Sequence, residues 1–247
     1  MPALSPKKRE MQQREAALLD VARAMLLRLG YHGLTMARVA KALDCAKATV
    51  YQHFSCKEEI IIALAHRSLA FQDGFIERGA CYPGRPRERM LAVAEGVQLS
   101  ARLYPDDARI FQLMNAEAIT QKASSESLWR LRQTAHQTAS TMKGILRDAI
   151  AQGDLVLDPG RSVDELTYQL WVLGESSKAA VWSWMPPREL GVDDPLAAMT
   201  RNGQILADAY GWRPLSAEWD YDATLERIRR EVFPEESKRA YGIGEKS

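Results

Sequence analysis

Lys47, Ala48, Thr49, Tyr51, Gln52 and His53 stand together in the stretch LTMARVAKALDCAKATVYQHF, residues 34–54. The group joins one cation and two small side chains to hydrogen-bonding tips, on a segment too short to be a stable helix by itself. These are groups suited to reading a DNA duplex. A lysine reaches a phosphate or a guanine edge, an alanine or threonine methyl touches a thymine methyl, and tyrosine and histidine tips donate to phosphate oxygens. Lys57, just beyond, is a further phosphate candidate.

Little in the chain supports a competing chemistry. The four histidines, at 32, 53, 66 and 136, fall in no HExxH motif, and neither a GxSxG elbow nor a glycine-rich phosphate loop is present. Cys45, Cys56 and Cys81 form no CxxC pair, and an odd count argues against a disulfide framework. We therefore expect reduced thiols, no enzyme activity, no catalytic residues, no metal site and no cofactor.

The elements that must position the first group are helical. Ala17, Val21, Ala24, Met25 and Leu29 recur mostly at three and four between Glu10 and Gly30, with Gly30 placed to end the helix. Thr35 stands as an N-cap before the i, i+3, i+4, i+7 face of Met36, Val39, Ala40 and Leu43. After a break at Asp44-Cys45, Val50 and Phe54 lie four apart on the buried side of a third helix, Ala46 to Phe54. Ser55, with Glu58 three residues on, reads as a capping box opening the next helix, 55–73. Two short helices joined by a tight turn and braced by a longer one make a helix-turn-helix.

The pattern Gly33-x-Thr35-x3-Val39-Ala40-x2-Leu43, then Val50-Tyr51-x-His53-Phe54-x2-Lys57-Glu58, resembles the TetR family of bacterial transcriptional regulators. The resemblance covers about residues 10 to 65. It implies an all-α homodimer, with an N-terminal three-helix DNA-binding domain followed by a larger helical ligand-binding and dimerisation domain. It further implies double-stranded operator DNA as partner, with ligand binding releasing the operator. By position it assigns DNA contacts to Thr35, Lys47, Thr49, Tyr51, His53 and Lys57, to which the residue reading adds Ala48. Two positions depart from the family pattern: Asp44 replaces the turn glycine, and Ala46 replaces the serine that opens the recognition helix. The first implies a strained left-handed turn and the second a missing capping bond.

Charge supports the same division. Residues 1–57 hold ten Lys/Arg against four acids, a balance of +6, which leaves −5 on the remainder of a chain whose net charge is +1. A basic front and an acidic back suggest an anionic partner for the front alone. We place the DNA-binding domain at 1–57 and the helical domain at 58–247. Apolar runs too short to span a bilayer, and charges where a signal peptide would be apolar, lead us to expect a cytoplasmic protein without a membrane partner.

Beyond residue 65 helical patterns cover about 87–104, 106–120, 125–152, 162–184, 194–211 and 218–233. The segment 162–184 is apolar on more than one side and carries small residues such as Gly174 and Ala179, so a dimer interface is expected there and on 194–212. Phe111, Met114, Trp129, Met142, Tyr168 and Trp171 are the candidates to wall a cavity for an apolar or amphipathic effector. His136 reads as a core or rim residue, and the tail KRAYGIGEKS as frayed. The rival reading is a DNA-binding activator or architectural factor that acts through a protein partner.

Overall fold

The computed structural model describes residues 5–181 and 184–242, and no strand occurs among them. In chain order the helices are α1 (Pro6–Gly33), α2 (Met36–Ala42), α3 (Lys47–His53), α4 (Lys57–Ala80), α5 (Pro86–Leu103) and α6 (Pro105–Met114). They continue as α7 (Glu117–Thr120), α8 (Ser125–Ala151), α9 (Val163–Val181), α10 (Pro195–Ala209), α11 (Tyr221–Glu231) and α12 (Pro234–Tyr241). The chain is all-α, as its periodicities imply.

Two compact units divide it. One runs through Arg67 and takes in Leu113–Arg132; the other holds Ser68–Gln112 and the chain from Gln133 onward. The proposed domain boundary at residue 57 therefore falls inside the first unit, and α4 is shared between the two.

In the first unit α1 buries Leu18, Leu19, Ala22, Met25 and Leu26, a stripe at helical spacing. A fully buried leucine contributes about 1.5–3 kcal/mol, so this stripe is a substantial part of the core of the first unit. Gly30 does not end α1. It sits at φ 70° as a kink, and the helix resumes to Gly33. Thr35 caps α2 as expected, its Oγ1 accepting from the Arg38 N–H at 3.2 Å. Asp44 takes the left-handed conformation, φ 49°, while the Cys45 N–H closes the turn on the Ala40 carbonyl.

The expected capping box at Ser55 does not form, because α4 begins at Lys57 and Glu58 is turned inward to other partners. The pattern at 106–120 is broken into α6 and α7. Pro234 opens α12, so the part of the tail from Lys238 to Tyr241, expected to fray, is helical. A proline suits that first helical position because its missing N–H would have no partner there.

The second unit has two apolar clusters. Ile76, Met90, Val93, Met142, Leu146 and Trp212 belong to one; Phe75, Leu99, Tyr221, Ile228 and Phe233 belong to the other. The latter seats α11 and α12 against α5. Arg229 on α11 pairs with the fully buried Glu95 of α5 at 2.8 Å, which supplies the carboxylate with a charged donor. No described helix is long and apolar enough to cross a membrane, and no described cluster of His, Cys, Asp or Glu has a metal-binding arrangement.

Candidate functional site

Helix α3 is held by few residues. Val50 is its buried residue, Phe54 follows at its C-cap, and Lys47, Ala48, Tyr51 and Gln52 lie exposed at i, i+1, i+4 and i+5. That spacing puts four side chains on one outward face. Thr49 is half-buried beside them. Ala46 has N-cap geometry, φ −65° and ψ 144°, but no side chain able to accept a bond. The helix is thus located by its apolar side and left free on its polar side.

His53 is the exception among the candidates on this helix. Three residues after Val50, it shares the inward side; its side chain is 4% exposed, and Nδ1 lies 3.8 Å from the Glu15 carboxylate of α1. It packs against α1 and does not join the outward face. Thr35 is half-buried, with its oxygen committed to capping.

Lys57 also turns toward α1. Its Nζ donates to the Tyr31 carbonyl at 3.0 Å and sits 3.6 Å from the centre of the Tyr31 ring. Beside it, the Tyr31 hydroxyl donates to Glu58 at 2.6 Å, and Lys122 approaches the same carboxylate at 3.4 Å. This hydrogen bond, with burial second, pushes the Tyr31 hydroxyl up to about 12. Burial pushes the Glu58 carboxyl up, but the bonds from Tyr31, its own backbone and Lys122 outweigh it, so the group lies below the usual carboxylate range. Glu59 is lowered in the same way: burial opposes the shift, and donors from Ser127 and Ser124 win. The first turn of α4 therefore ties α1 to the segment around α7 and the start of α8.

The second unit contains an apolar cavity of about 110 Å³. Met142 and Trp171, both expected there, line it. The other candidates are elsewhere. Trp129 and Tyr168 are on the surface, 59% and 68% exposed, and Met114 is buried within the first unit. Phe111 lines a separate cleft of about 30 Å³ beside Tyr104. A helix apolar on several sides does not reveal by periodicity which side meets a cavity. His136 is exposed and does not line the cavity.

Trp212, Arg87 and Thr200 line the cavity and were missed from the sequence. Arg87 is fully buried, which its charge argues against. It is satisfied by the Trp212 and Pro214 carbonyls, the Gln204 side chain, Ser216 and, at 2.7 Å, Asp208. The signal available was the turn at Gly211, φ 63°, which carries Trp212 back inward.

The exposed polar face on the second of two short packed helices defines the class: a helix-turn-helix nucleic-acid reader. Residues 18–64 match the family described as bacterial regulatory proteins, tetR family. A DNA-binding transcriptional repressor TetR from Mycobacteroides abscessus is 31% identical over 102 residues, which cover 41% of this chain and 54% of that protein. The match thus spans about half the length of that relative. A TetR transcription regulator from Haloarcula marismortui shares the fold with a TM-score of 0.63 at 17% identity, over 81% of this chain and 98% of that one. AibR, solved in complex with isovaleryl coenzyme A and operator DNA, gives 0.56 at 15%, over 80% and 98%.

Proposed function

We propose that this chain is a DNA-binding transcriptional regulator, a repressor released from a palindromic operator by an apolar or amphipathic small molecule. The observation that carries the reading is the outward face of α3, where Lys47, Ala48, Tyr51 and Gln52 are exposed while the opposite side is packed. Lys47 and Tyr51 position the helix on phosphates; Ala48 and Thr49 touch base edges.

A two-fold dimer supplies the second reading head. Tyr168 and Val172 on α9 and Ile205 on α10 are large apolar side chains exposed on helices that pack together, which supports an interface between copies of this chain. Trp182, inside the segment 162–184 expected at the interface, lies outside the described residues. The likeness to AibR, solved with both an acyl coenzyme A and operator DNA, supports the pairing of effector and operator. An effector releases DNA only by its differential affinity for the two states. A coupling of about 1–3 kcal/mol corresponds to roughly 5- to 150-fold.

Selection from a random duplex library, followed by anisotropy titration, tests the proposal. The enriched site should be a palindrome with half-site centres about 34 Å apart or a multiple, and affinity should fall steeply with salt. Sedimentation should give a dimer at micromolar concentration. No enrichment, or a monomer bound to a single half-site, would refute it.

A further inference from the structure

Buried polar groups are almost always hydrogen-bonded, and two around the cavity are not. Trp212 is 1% exposed, and its Nε1–H has no acceptor among the described residues; the Thr200 Oγ1 is likewise buried and unpaired. Both residues line the cavity. Other polar groups of the lining are committed: Gln72 donates to Ser100 and Thr138 to Asp73.

Resting on the reading of the second unit as the effector-binding part, we infer that the effector is a neutral, chiefly apolar molecule with one carbonyl oxygen. It belongs to the ketone, ester or lactone class and is held by Trp212 and Thr200. Its two lone pairs match two waiting donors. An anion finds no donor in Arg87, whose N–H groups are spent on Gln204, Ser216, Asp208 and two backbone carbonyls. A hydrocarbon or an ammonium ion brings no acceptor and leaves the indole N–H unpaired.

The cavity is smaller than the engineered apolar one of about 150 Å³ that holds benzene, so single-ring probes are the largest that it takes, and only with some give in the lining. Calorimetric titration of the full chain with acetophenone, ethylbenzene, benzoate and benzylamine tests the class. Acetophenone should bind at least about tenfold more tightly than ethylbenzene, a difference of about 1.4 kcal/mol. Neither ion should exceed ethylbenzene. Trp212→Phe and Thr200→Val should each reduce the acetophenone preference several-fold and leave ethylbenzene unchanged; if the buried Trp212 variant does not fold, Thr200→Val carries the test. Benzoate or benzylamine binding as tightly as acetophenone, or a preference unaltered by substitution, overturns the ligand class while the cavity remains a binding site. Failure of all four probes to bind overturns both the class and the reading on which it rests.

Discussion

Ala46→Ser isolates the energetics of the recognition helix. Ala46 already has the extended backbone of an N-cap, φ −65° and ψ 144°, and it is exposed, so the substitution needs no backbone movement and removes no buried methyl. The Thr49 N–H makes only the short i, i+3 bond to the Ala46 carbonyl at 2.9 Å, and no side chain serves the end of α3. A serine Oγ would accept from the second or third helical N–H, worth about 1 kcal/mol within a range of 0.5–2. For a chain of this size the gain corresponds to a melting-temperature rise of about 2–4 °C. Thermal unfolding followed by circular dichroism measures it, with Ala46→Val as the control that cannot accept a bond. Slower amide exchange in α3 should accompany the rise. Equal melting temperatures for the serine and valine variants would refute the argument, because the missing acceptor would then not limit this helix.

Asp44→Gly should stabilise the chain by a few tenths to about 1 kcal/mol in denaturant titration, since glycine accepts the 49° φ without steric cost and the exposed carboxylate makes no hydrogen bond among the described residues. Gly144→Ala, in the interior of α8 with nothing within 4 Å of the added Cβ, should add about 0.5–1 kcal/mol, and an unchanged unfolding midpoint would count against the open space there. Glu58 and Glu59 have folded pKa values below the ordinary one, so the stability they contribute is present above about pH 4.3 and is lost as pH falls through the folded values. Glu58→Gln should therefore lower the melting temperature at pH 7 and flatten its fall in acid; a parallel pH profile would contradict this.

The helix-turn-helix was legible because its determinants are local. Thr35 as a cap, Val39 and Val50 as core, and Asp44 at a left-handed turn each follow from a few neighbouring residues. The rest depended on distant partners. Glu58 is drawn from its expected capping role by Tyr31, 27 residues away, and the return of Leu113–Arg132 to the first unit has no counterpart in periodicity. Apolar composition on α8 and α9 could not separate Trp171, which lines the cavity, from Trp129 and Tyr168, which face outward. His53 was readable in principle, since its three-residue offset from Val50 already places it inward.

The central claim is that the outward face of α3 reads sequence, and a base-substitution profile tests it most directly. Anisotropy would be measured for every single-pair variant of the selected operator, with the wild type, Lys47→Ala and Thr49→Ala. Lys47→Ala should weaken every site alike, whereas Thr49→Ala should flatten the preference at one base pair per half-site by on the order of 1 kcal/mol. Identical profile shapes for all three proteins would contradict the account.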